Sequence, residues 1–290
     1  MKRIGCFSAA TWLLCLSLSV AVFSQTPNGD HNTSQSQRAA ALKYYDAGDF
    51  ERAIATLNQL IALRPDFAEA HNDLGLSLAA VGRHQEAIAS FQEAIKYKPE
   101  FAVASDNLGA EYYLLGETSL AIEALRQAIK FDRRNAVAFN NLGASLSDAG
   151  ESREAIAAYE QAIALKPDWA EAHRNLALAS APAGDYERVF KHLNIAISLR
   201  PDYFEAYNNL GVAHYRQGNN REAVAAFQQA ITLKPDYDDA LYNLGLIQAV
   251  AHKRSAALEQ YQKLKVVNPG LAETLYGGIY RGMILNLRNK

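Results

Sequence analysis

An all-α solenoid of stacked helix pairs is the fold class this sequence predicts, and three observations predict it. A 34-residue pattern recurs without insertion along most of the 290-residue chain. Within each copy, two sets of apolar positions have the spacing of one helical face. Glycine and proline return at fixed places between those sets, where helices must end. A composition of 49% hydrophobic and 21% charged residues suits a folded protein, and heavy alanine use suits helices in close contact.

The chain opens with Lys2 and Arg3, then an apolar run from Thr11 to Phe23, then Val22 and Ser24 as small residues before a cut ahead of Gln25. That is the build of a signal peptide over 1–24. The alternative is an uncleaved anchor, since the apolar region can be extended back to Ile4. Cys6 and Cys15 both lie in this segment, so the mature chain would hold no disulfide, thiolate nucleophile or cysteine metal site. A periplasmic or secreted location is the expectation. Residues 25–36 read as a flexible polar leader. It includes Asn32-Thr33-Ser34, a glycosylation acceptor only in a eukaryotic secretory pathway.

The repeat solenoid is expected over 37–271, with units beginning at Ser34, Ala68, Ala102, Ala136, Ala170, Phe204 and Asp238. AEAHNDLGLSLAAVGRHQEAIASFQEAIKYKPEF (68–101) shows the pattern, and FEAYNNLGVAHYRQGNNREAVAAFQQAITLKPDY (204–237) returns it. Apolar or small residues at unit positions 4, 7, 8 and 11, then 20, 24, 27 and 28, define two amphipathic helices. Glycine at position 8 (Gly75, Gly109, Gly143, Gly211, Gly245) lets the paired helices approach, beside larger residues at position 24 such as Phe91 and Phe227. Glycine at position 15 (Gly48 to Gly218) predicts a left-handed end to the first helix. Proline at position 32 predicts the end of the second. Pairs such as Asp66 with Glu69, and Asp168 with Glu171, predict capping boxes for the next helix.

Three departures stand out: Arg133 in place of the third unit's proline, His252 in place of the seventh unit's glycine, and Pro182 near the end of the fifth unit's first helix. Pro182 should shorten or kink that helix, as a local irregularity or, alternatively, a hinge. Val189 replaces the usual alanine in the same unit. Residues 272–290 read as a capping helix with Leu275, Ile279, Met283 and Leu287 on one face. Tyr276, Tyr280 and Ile284 remain for a homodimer contact.

These residues resemble the tetratricopeptide repeat over 34–271. The resemblance implies antiparallel helix pairs wound into a right-handed superhelix with a concave groove. It also places unit position 6 on that groove, where this chain has Asn107, Asn141, Asn175, Asn209 and Asn243, with Asp73 in the second unit. Side-chain amides both donate and accept, so such a ladder suits an extended peptide backbone. It is similar to the ladder of the O-linked N-acetylglucosamine transferases, although no transferase domain is present in this sequence. Around it the resemblance places Asn140, Arg174, Asn208 and Tyr242, then Leu76, Ala110, Leu178, Val212 and Leu246, and finally Tyr113, Tyr215 and Arg216.

A formal net charge of −2 and pI near 6.4 speak against nucleic acid. No glycine-rich phosphate loop or histidine pair at metal-ligand spacing occurs, and His71 and His173, at position 4, read as packing residues. No cofactor, metal or catalytic residue is expected. The sequence therefore reads as an exported, non-enzymatic scaffold that binds a protein or peptide. The alternatives are a self-associating structural component or a non-catalytic subunit of an envelope complex.

Overall fold

The computed structural model describes residues 29–281, and these form fifteen α-helices and one 3-10 turn. The described residues divide into two compact units, with the boundary between Ser145 and Leu146. The first contains α1 (Gly29–Asp46), α2 (Phe50–Leu63), α3 (Ala68–Ala80), α4 (His84–Tyr97), α5 (Ala102–Leu114) and α6 (Thr118–Phe131). Helix α7 (Ala136–Asp148) crosses the division. The second contains α8 (Ser152–Leu165), α9 (Ala170–Ser180), α10 (Tyr186–Leu199), α11 (Phe204–Arg216), α12 (Asn220–Leu233), α13 (Asp238–Val250), α14 (Arg254–Val267) and α15 (Pro269–Arg281). Within each unit, every helix packs on the one before and the one after it, as a tetratricopeptide solenoid requires.

The position-8 glycines explain how closely the helices pack. A methyl group on Gly75 would lie 2.5 Å from the Phe91 ring, and one on Gly211 would lie 2.6 Å from the Phe227 ring. Both rings are almost wholly buried, so each sits directly on its glycine. Gly109 does the same for Leu125, with a would-be contact of 2.6 Å.

The turns follow the sequence in most respects. Gly48, Gly82, Gly116, Gly150, Gly184 and Gly218 all have φ between 74° and 80°. His252 adopts the same conformation, with φ 57°, a strained choice for a residue with a Cβ. His252→Gly should therefore stabilise the protein by about 1 kcal/mol, seen as a higher urea midpoint for the loss of helical circular dichroism.

Proline proves unnecessary for ending the second helix. Helix α6 ends at Phe131, the same position as its counterparts, although Arg133 stands where proline would be. There Asp132 accepts from the Arg134 amide at 2.9 Å, and Asn135 accepts from the Ala138 amide at 3.0 Å. These two side-chain bonds form the turn and start the next helix. Pro182 has the expected effect: α9 is 11 residues long, where α3, α5, α11 and α13 have 13, and it runs into a 3-10 turn over Ala181–Ala183.

Three sequence expectations need correction. The capping boxes do not form: the N-caps of α3, α9 and α11 are Phe67, Trp169 and Tyr203, which make no side-chain cap bond. Glu69 instead pairs with Lys98 at 2.8 Å, and Glu171 pairs with Arg200, tying a first helix's start to the second helix's end. The cap aromatics carry cations at 4.3–5.4 Å from their centroids: Arg64 over Phe67, Lys98 over Phe101, Lys166 over Trp169 and Arg200 over Tyr203. Helix α1 begins at Gly29, so 29–36 is helical rather than part of a flexible leader. The capping helix begins at Pro269, three residues before the expected 272, because Asn268 caps it through the Leu271 amide at 3.1 Å.

Leu271, Ala272 and Leu275 of α15 are buried against α13 and α14. The signal segment 1–24, and Met283, Ile284 and Leu287, lie outside the described residues. No described helix is long and apolar enough to cross a membrane.

Candidate functional site: the row of first helices

In each unit the first helices of successive repeats are joined through unit positions 5 and 6. Asn107 Nδ2 donates to Asn72 Oδ1 at 2.9 Å, Asn141 Nδ2 to Asp106 Oδ1 at 3.2 Å, and Asn243 Nδ2 to Asn208 Oδ1 at 3.0 Å. At the amino-terminal end the polarity reverses, and Arg38 Nε donates to Asp73 Oδ2 at 2.5 Å. Each bond spans 35 residues, one repeat plus one position. The side chains lie between helices: Asn107 is 6% exposed, Asn209 3%, and Asn208 and Asn243 fully buried. Asn140, Asn175, Val212 and Tyr242 are also buried, while Asn141 and Arg174 are half-buried.

The asparagine row is therefore a seam between repeats as well as a set of amides. The resemblance places positions 5 and 6 alike on the groove; the pairing of the two across successive repeats is what the structure adds. The signal was present as an acceptor at position 5 (Asn72, Asp106, Asn208), which a comparison of adjacent repeats would have paired. What the row offers outward comes from positions 9, 12 and 13. Leu178, Tyr113 and Tyr215 are half-buried, and Arg216 is exposed.

The seam in the first unit has a charged link. Burial pushes the Asp106 carboxyl up to about 6, against the hydrogen bonds from Asn135 and Asn141 that favour its ionised form. The folded chain thus keeps this proton to a higher pH than the unfolded chain, and the group's contribution to stability falls as pH rises from about 4 to 6. Asp106→Asn keeps the acceptor for Asn141 and removes the titration. Its stability relative to the parent should rise by on the order of 2 kcal/mol between pH 4 and 7, measured by urea unfolding at both ends of that range.

Both position-4 histidines serve packing, as expected. Nε2 of His71 donates to the Pro65 carbonyl at 2.8 Å, and Nε2 of His173 to the Pro167 carbonyl at 2.9 Å. The second bond fixes the His173 tautomer, so its Nδ1 accepts from His192 Nδ1–H at 2.8 Å. Burial first, and then the neighbouring His173, Lys191 and Arg188, lower His192 to about 4. Its contribution to stability is complete above the unfolded value near 6.5 and is lost as pH falls towards 4. That is the opposite sign to Asp106.

Tetratricopeptide-repeat models match residues 38–101 and 204–237, and a TPR-repeat model matches 109–150, 146–181 and 183–218. No curated protein matches the chain by sequence. Among solved structures, MamA is similar at 28% identity and TM-score 0.53, over 56% of this chain and 95% of its own. YrrB, described as a TPR protein with an unusual peptide-binding site, is 20% identical with TM-score 0.56, over 64% of this chain and 95% of its own. PilW, described as a type IV pilus biogenesis factor, is 21% identical with TM-score 0.67, over 72% of this chain and 98% of its own. At these identities the likeness to YrrB and PilW concerns the fold. With the repeat models matching most of the helical region and the helices paired as the repeat demands, this chain belongs to the tetratricopeptide-repeat family.

Proposed function

We propose that this protein is an exported, non-enzymatic scaffold that holds an extended polypeptide along the first helices of its carboxy-terminal unit. The observation that carries the reading is the contrast along α9 and α11. Leu178, Tyr215 and Arg216 remain accessible at positions that resemblance assigns to the groove, beside a row of amides that the packing holds rigid. Aromatic and arginine side chains on a rigid surface are effective anchors for a partner. Repeat proteins commonly bind along such a surface. The description of YrrB as peptide-binding agrees with this use of the fold. Export rests on the segment before Gln25, and the mature protein from its source should begin at Gln25.

The test is a photo-cross-linking residue placed at Tyr215 or at Arg216, with a control at the exposed Gln228 on α12. Cross-links to one polypeptide from the native extract at Tyr215 and Arg216, absent at Gln228, would support the reading. The reverse distribution would overturn it.

Self-association is the second reading, favoured by exposed apolar side chains on α14 and on α15. Val266 is 86% exposed, and Tyr280 stays 42% exposed although Arg254 lies 4.0 Å over its ring. A concentration-dependent dimer abolished by Tyr280→Glu would establish it, and a monomer at high concentration would exclude it.

A further inference from the structure

Asn209 breaks the rule of the seam. Its partner at position 5 of the preceding repeat would be residue 174, and that residue is arginine, which donates and cannot accept. The Arg174 guanidinium lies 6.0 Å from the centre of the Tyr203 ring. Asn209 is 3% exposed, and neither its Nδ2 nor its Oδ1 has a hydrogen-bond partner among the described residues. A buried amide with both ends unsatisfied destabilises the fold unless something outside the chain satisfies it.

The same amide lines a small cavity of about 20 Å³ between α9, α10 and α11. Its walls include Leu178, Ala181, Val189 and Val212, and it lies where Pro182 cuts α9 short. Arg216 borders it, exposed and without an ion pair among the described residues. The volume suits one methyl group or one water molecule.

We infer that this slot is a subsite for an extended peptide bearing an alanine followed by an acidic residue. The alanine methyl fills the apolar slot. On binding, the Asn209 amide turns toward the mouth of the slot, where its Nδ2–H donates to that residue's carbonyl and its Oδ1 accepts from a backbone N–H. The neighbouring carboxylate pairs with Arg216. A larger side chain overfills the slot, and a lysine beside it meets the guanidinium with like charge. The inference rests on the groove reading above and narrows it to a recognised sequence at one repeat.

The experiment uses the mature chain and three capped hexapeptides: Gly-Ser-Ala-Asp-Ser-Gly, the same with Phe for Ala, and the same with Lys for Asp. Binding is followed through the Asn209 side-chain amide and the Leu178 and Val212 methyl resonances. The Ala-Asp peptide should shift these signals, and the other two should bind at least ten-fold more weakly. Arg216→Glu should invert the preference to the Ala-Lys peptide. Asn209→Ala should abolish the binding without lowering the urea midpoint, because that side chain makes no bond to lose.

Equal binding of all three peptides, or none by any, would overturn the subsite; the latter would leave a single ordered water as the cavity's occupant. An Asn209→Ala variant clearly less stable than its parent would overturn it too, by showing an internal bond. If a client still cross-links at Tyr215 in these cases, the groove reading stands and the subsite alone fails. If nothing cross-links there either, both fail.

Discussion

Phe91→Ala and Phe227→Ala should each lower stability by about 4 kcal/mol, the largest effects expected in this chain. Both rings are buried to 1% exposure or less, and each lies against a helical glycine. The glycine partner gives the prediction its sharper form. Alanine is the better helix former by about 1 kcal/mol, so propensity alone would make Gly75→Ala stabilising. The methyl would stand 2.5–2.8 Å from the Phe91 ring, and that overpacking should outweigh the gain and cost about 1–3 kcal/mol. With Phe91→Ala in the background the clash is gone, so the same Gly75→Ala change should raise stability. A double-mutant cycle checks this change of sign. Because repeat arrays can unfold in parts, it is best read by hydrogen exchange of the α3 and α4 amides alongside the global midpoint.

Asn243→Ala should lower stability by about 2–3 kcal/mol. The side chains of Asn208 and Asn243 are both fully buried, and their 3.0 Å bond joins α11 to α13. Truncating the donor leaves the Asn208 carbonyl oxygen without it in a place water does not reach. The effect should appear as faster exchange in α13 and a lower urea midpoint. A change below about 0.5 kcal/mol would mean that the seam contributes little to joining the repeats.

How far the sequence could be read depends on how local each feature is. Helix pairs, left-handed glycines and the shortened α9 were legible because each is set by residues within a few positions of one another. Glycine at position 8 was legible too, since a small residue recurring opposite Phe91 and Phe227 implies contact. Less accessible was the destination of side chains that reach into the next repeat. The repeat pattern puts the position-6 amides on the groove, whereas Asn107, Asn141 and Asn243 each donate to a neighbouring repeat. The spacing of the acidic residues at the helix starts is that of caps, but Glu69 and Glu171 reach the cations at the far end of their own repeats. In both cases the residue types fit two geometries, and only the stacking of one repeat on the next selects between them. Asn209 carries the same lesson: it is one more asparagine in the pattern until Arg174 is set beside it.

The most direct test of the account is hydrogen exchange on the mature chain, alone and with the polypeptide captured by cross-linking at Tyr215. Slower exchange in α9, α11 and α13, with α10, α12 and α14 unchanged on their exposed faces, is the result expected of a partner held along the first helices. Protection confined to the second helices or to α15 would contradict it and place the partner on another surface.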